Sequence, residues 1–119
     1  MQIKSYRDLL VWQKAIILGE LIYKVTNTFP KEELFGLVSQ MRRSSVSIAS
    51  NIAEGRHRGT RKDFVQFLRI ALGSVAELET QIELTKRTLF KNADCFSEID
   101  IILNEISRML KVMIRKLST

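Results

Sequence analysis

Apolar residues recur along this chain at the three- and four-residue spacing of α-helices, and three short breaks interrupt the pattern. The first stretch covers about residues 6–28. Ser5 stands just before it and Asp8 three positions later, a pairing whose side chains satisfy the free backbone N–H groups of a helix start. "TFPKEE" ends the stretch, because Pro30 disfavours helical geometry at Phe29. Pro30 also suits the first turn of the next helix, with Glu32 and Glu33 at its positive end.

The second stretch, about 31–58, carries Leu34, Leu37, Val38, Met41, Ser45 or Val46, Ile48 and Ile52 at helical spacing. Gly59 suits its end, and Thr60 with Asp63 repeats the capping arrangement. The third, about 61–90, is one long stripe from Phe64 to Leu89. "KNAD" is the last break, before a fourth helix at about 95–117 with Phe96, Ile99, Ile102, Leu103, Ile106 and Leu110 inward. No segment alternates with the two-residue period of a strand. Short connections make successive helices antiparallel, so the expectation is an all-α, up-down-up-down four-helix bundle in one domain, 1–119.

The first helix exceeds what a monomeric bundle needs. At 100° per residue, its expected core stripe is Leu9, Trp12, Ile16, Ile22 and Tyr23, yet Leu10, Ile17, Leu18, Leu21 and Val25 lie outside it. A helix apolar nearly all round is buried nearly all round. Another subunit is the expected cover, with Leu10, Ile17, Leu18 and Leu21 at the contact. The plainer alternative is a helix set deep in its own bundle.

A polar line also stands out. Arg43, Ser47, Ser50 and Glu54 follow one another along the second helix, with Asn51 beside them, and Ser74 and Glu77 share a face of the third. Ser and Asn are mediocre helix formers, so "SSVSIASN" implies close packing or hydrogen bonding. The expected network joins Arg43, Ser47, Asn51, Glu54 and Glu77, with Arg43 paired to Glu54 or to Glu77.

Composition adds limits. The chain has 119 residues, 45% hydrophobic and 27% charged, which suits a folded domain rather than a disordered one. The single cysteine, Cys95, has no partner for an internal disulfide and fits a reducing compartment. "MQIKSYRDLL" lacks the order of a signal peptide, and no run reaches the ~18 apolar residues of a membrane span, so a cytoplasmic place away from membranes is expected.

The net charge of +6 is concentrated. Arg42, Arg43, Arg56, Arg58, Arg61, Lys62 and Arg69 face only Glu54 and Asp63 between positions 42 and 69. Cations at a helix end ordinarily form a solvated surface or cap the helix dipole, but that accounts for one or two charges. Arg56, Arg58, Arg61 and Lys62 fall within seven residues, with no acidic i+4 partner expected to neutralise them. Arg42, Arg56, Arg58, Arg61, Lys62 and Arg69, with His57, are therefore the expected contacts to the phosphates of RNA or DNA. No aromatic residues interleave them, so base stacking is not expected.

Catalysis finds no support. Glu54 and His57 form Glu-x-x-His, but a di-iron bundle needs that motif twice and His57 is the only histidine. "GTRK" lacks the glycine spacing and preceding strand of a phosphate loop. No enzyme, metal or cofactor is expected.

Three phrases carry a family resemblance: "DLLVWQKA", "IYKVTNTFPKEELFGLVSQMRRSSVSIASNIAEG" and "RGTRKDFVQFLRIALGSVAELETQIE". Together they resemble the 23S rRNA intervening-sequence proteins, a ribosomal-protein-like family of four-helix bundles. The motifs FP-x-x-E, L-x-x-Q-x-R-R, S-I-x-x-N-I-A-E-G and G-S-x-x-E-L-E occur in that order between about Leu9 and Leu89. The resemblance implies a ring-shaped homopentamer and a gene sometimes carried inside an rRNA insert. A more distant relative is the accessory variability determinant of diversity-generating retroelements. For that relative it implies a basic surface that binds nucleic acid and a reverse transcriptase. Two functions are thus expected in competition: an oligomeric nucleic-acid-binding bundle, or a scaffold whose basic patch meets the acidic surface of a protein partner such as a reverse transcriptase.

Overall fold

In a computed structural model, which describes residues 5–90 and 94–119, the protein is all-α, with four long helices and no strand among the described residues. They are α1 (Leu10–Thr26), α2 (Ser39–His57), α3 (Arg61–Thr88) and α4 (Ser97–Leu117). α1 packs on α2 and α4, and α3 packs on α2 and α4, the neighbour pattern of an up-down bundle. At about 1.5 Å per residue the 28 residues of α3 span about 42 Å, matching the 43 Å long axis of the molecule. None of the described helices is long and apolar enough to cross a membrane.

The helix starts are less regular than periodicity alone implies. Ser5 and Asp8 form the capping box, but it closes a single 3₁₀ turn, Tyr6–Asp8. The chain then extends at Leu9 (ψ 123°) before α1 begins. After Pro30 come a 3₁₀ turn (Lys31–Glu33) and a π-helical turn (Leu34–Val38) in which Gly36 leaves helical geometry at φ −108°, ψ −110°. The single helix expected over 31–58 is thus an irregular entry followed by α2. The break expected at "KNAD" falls mostly on residues 91–93, outside the described residues. Beyond it, Asp94–Phe96 forms a 3₁₀ turn into α4.

The core rotates α1 relative to the expected stripe. Val11, Ala15, Leu18, Ile22 and Val25 are buried, while Ile16 and Tyr23 are exposed. In a helix apolar on nearly every side, spacing reveals the helix but not which side turns inward. Leu18, expected at a subunit contact, is 0% exposed in the centre of the bundle. Leu21 packs partly buried against the same core. Of the four residues assigned to that contact, Leu10 (56% exposed) and Ile17 (50%) remain on the surface.

α2 and α3 make the most extensive contact. Ser44, Ser45, Ala49 and Gly55 all lie buried on α2, and Gly55 is set against α3. A Cβ placed on Gly55 would stand 2.6 Å from Phe67 Cβ and 3.3 Å from the Phe64 ring. Arg58, Gly59 and Thr60 then reverse the chain. Gly59 takes φ +87°, a conformation that costs a residue with a side chain about 1 kcal/mol or more. Thr60 Oγ1 accepts the Asp63 N–H at 3.1 Å to start α3. At the opposite end the Phe90 ring packs at steep angles against Phe29 and Phe96, with centroids 5.4 and 6.1 Å apart.

Gly55→Ala is expected to lower stability by about 1–2 kcal/mol, overpacking outweighing the gain in helix propensity. Gly19→Ala, where nothing lies within 4 Å of the added carbon, is expected to gain about 0.5–1 kcal/mol. Urea denaturation of the two variants measures both signs.

Candidate nucleic-acid interface

The end of the bundle where α2 finishes and α3 begins gathers a cluster of cationic side chains. Arg56 and His57 lie in the last turn of α2 and Arg58 caps it, while Arg61 and Lys62 open α3. The antiparallel return brings the end of α4 to the same place. Arg61 Nη1 reaches the Thr119 carbonyl oxygen at 3.5 Å, and Arg69 Nη2 reaches Ser118 Oγ at 3.5 Å. With α4 come Arg115 and Lys116, in its last turn. Neither belongs to the set expected from the sequence. The signal is present there, since Arg108, Lys111, Arg115 and Lys116 follow Glu105 with no further acidic residue. Only the fold places them beside a turn some fifty positions earlier.

Not all of the expected contacts belong to this surface. Arg42 lies fourteen residues before Arg56 on α2, a rise of about 21 Å, and its guanidinium is engaged at the end of α1. Its Nε–H donates to Thr26 Oγ1 at 3.0 Å and its Nη2–H to Asn27 Oδ1 at 2.9 Å, with the Tyr23 ring 4.5 Å beneath. Arg42 is a tie between α1 and α2, not part of the basic end. Arg58, contrary to expectation, has an acidic partner: Glu54 Oε2 accepts from its Nε–H at 3.0 Å, and the Phe67 ring lies 5.1 Å away. Both members of that ion pair are about half exposed, so the pair is worth at most about 1 kcal/mol, and outward N–H groups remain on the guanidinium. His57, Arg61, Lys62 and Arg69 are exposed, and Arg56 is partly buried.

The polar line resolves into a seam between α2 and α3. Ser47 Oγ and Ser74 Oγ are 2.8 Å apart. Asn51 Nδ2 donates to the Ser47 carbonyl oxygen at 2.8 Å and to Ser47 Oγ at 3.0 Å. Arg43 stands outside it, exposed and without an ion pair among the described residues. The expected partner Glu54 shares its side of α2 but lies eleven residues on, a rise of about 16 Å that no side-chain pair spans. Glu77, the other expected partner, is also exposed and does not reach Arg43. Further along α3, Glu83 accepts from Arg87 Nε–H at 2.8 Å. That hydrogen bond and the guanidinium charge hold its carboxyl below the usual carboxylate range.

Two comparisons bear on this arrangement. The family described as 23S rRNA-intervening sequence protein matches residues 7–112. A crystal structure of a protein of unknown function from the S23 ribosomal protein family of Bacteroides thetaiotaomicron superposes with a TM-score of 0.77 at 30% identity, covering 88% of this chain and 98% of that one. No curated protein matches the chain.

Arg42→Ala is expected to cost about 1–2 kcal/mol in chemical denaturation, because its charged hydrogen bonds and its stacking on the Tyr23 ring disappear. Arg42→Lys is expected to recover only part, since an ammonium lacks the planar fork that reaches Thr26 and Asn27 together.

Proposed function

This chain belongs to the 23S rRNA-intervening sequence protein family, and from that starting point we propose that it is a non-enzymatic, homo-oligomeric bundle that binds RNA or DNA through backbone phosphates. The observation that carries the reading is the convergence of Arg58, Arg61, Lys62 and Arg69 with Arg115 and Lys116 at one end of the bundle. Two helices and a turn supply cations there, with Glu54 and Asp63 the acidic residues of the 54–69 segment. Exposed Arg and Lys side chains at this density attract a polyanion by releasing its counterions. His57, exposed at the same end, adds a further contact.

The available chemistry points to phosphates and helix shape rather than bases. Phe64 and Phe67 are partly buried, Phe67 beneath Arg58, so neither ring is a free platform for stacking. Rigid helix ends position side chains on a backbone without reading its sequence. Exposed Leu10, Ile17, Tyr23 and Phe35 support self-association. A ring of five, the form that the family resemblance implies, is the assembly that we propose.

Fluorescence anisotropy with duplex RNA, duplex DNA and single-stranded RNA across a salt series tests the reading. Replacing Arg58, Arg61 and Lys62 together by Ala is expected to weaken binding equally across sequences. The log–log salt slope should flatten by about 0.9 for each duplex phosphate that is no longer neutralised. Arg42→Ala should leave that slope unchanged. Affinity indifferent to salt, or unaltered in the triple variant, would overturn the proposal.

A further inference from the structure

Two surfaces of the bundle are incomplete in complementary ways. On the outer side of α1 and α2, Phe35 is 92% exposed, carried outward on the π-helical turn beside Gly36. Leu34, Tyr23 and Val46, each about half exposed, surround it, and Arg43 stands among them. The second surface is a shallow groove between α3 and the start of α2, lined by Leu37 and Gln40 on one side and by Gly73, Ala76, Thr80 and Leu84 on the other, with Glu77 at its edge. Gly73 has no atom within 4 Å of where a Cβ would sit, so the groove is open there. Arg43 and Glu77 are both exposed and make no ion pair among the described residues.

We infer that these surfaces are the two halves of one head-to-tail contact between copies of this chain, the Phe35 ring of one copy seating in the α3 groove of the next and Arg43 meeting its Glu77. The inference rests on the homo-oligomer reading above and specifies how the copies meet. Charge complementarity selects a second copy as the occupant: the aromatic projection carries an unpaired cation and the groove an unpaired carboxylate. An aromatic anchor next to an arginine is also the residue combination that dominates binding energy at protein interfaces. The projection and the groove are separate patches, so the contact is head-to-tail when the Phe35 of one copy fills its neighbour's groove without the reverse exchange. Each copy that joins leaves one projection and one groove free, and such an interface closes into a ring when its rotation permits.

The test is native mass spectrometry and light scattering of the full chain over a concentration series, with circular dichroism to verify folding. Phe35→Ala, Arg43→Glu and Glu77→Arg are each expected to raise the half-association concentration about tenfold or more. Mixing the Arg43→Glu and Glu77→Arg chains in equal amounts is expected to restore association, because every mixed junction again pairs opposite charges. A wild-type chain that is monomeric throughout overturns the homo-oligomer reading and this contact with it. A wild-type chain that assembles, with Phe35→Ala and Arg43→Glu assembling as tightly, overturns this contact alone. Charge-reversed chains that fail to recover on mixing overturn the Arg43–Glu77 pairing.

Discussion

The close approach of α2 and α3 fixes the geometry on which the other features depend. Gly55 faces Phe67 and Phe64 with no room for even a methyl group, so the two backbones are held at a separation set by the aromatic residues. About two turns earlier on α2, that separation is short enough for Ser47 and Ser74 to share a hydrogen bond. Beyond Gly55 only Arg58, Gly59 and Thr60 are needed to reverse the chain. The cations on either side of the turn are consequently crowded at one end of the bundle. Packing of small residues and concentration of charge are thus one arrangement, seen from inside and from outside.

The amphipathic helices were legible because one stripe of each is apolar. α3 and α4 bury the residues that periodicity assigns to them, among them Leu68, Val75 and Leu78 on α3 and Ile99, Ile106 and Leu110 on α4. α1 was legible as a helix but not in its orientation. With apolar residues on nearly every side, only packing against α2 and α4 decides that Leu18 turns inward and Ile16 outward. The entry to α2 was hidden for a different reason. Leu34, Leu37 and Val38 keep helical spacing, yet Gly36 departs from helical geometry and the turn widens there. Apolar spacing does not register a local change of pitch.

Charge was harder to read than hydrophobicity, because a side chain's role depends on what the fold brings within its reach. Arg42 and Arg43 are adjacent in the sequence and opposite in use, one bonded to Thr26 and Asn27, the other facing solvent. Alignment on a helical wheel suggests that Arg43 meets Glu54, but a wheel discards axial distance. Glu54 instead takes Arg58, four residues on. Arg115 and Lys116 are recognisably basic in the sequence, while their proximity to Arg61 and Arg69 follows only from the antiparallel return of α4.

The three-residue reversal at Gly59 also bears on the order in which the chain can organise. Closing a short loop costs little chain entropy, and that cost grows with the length enclosed. α2 and α3 therefore meet with less ordering of the intervening chain than α1 and α4, which also pack on one another but are separated by both of the other helices in sequence. Topologies rich in such near-neighbour contacts fold fast. The α2–α3 hairpin, held by glycine packing and a serine pair, is the segment around which the outer helices have a surface to condense.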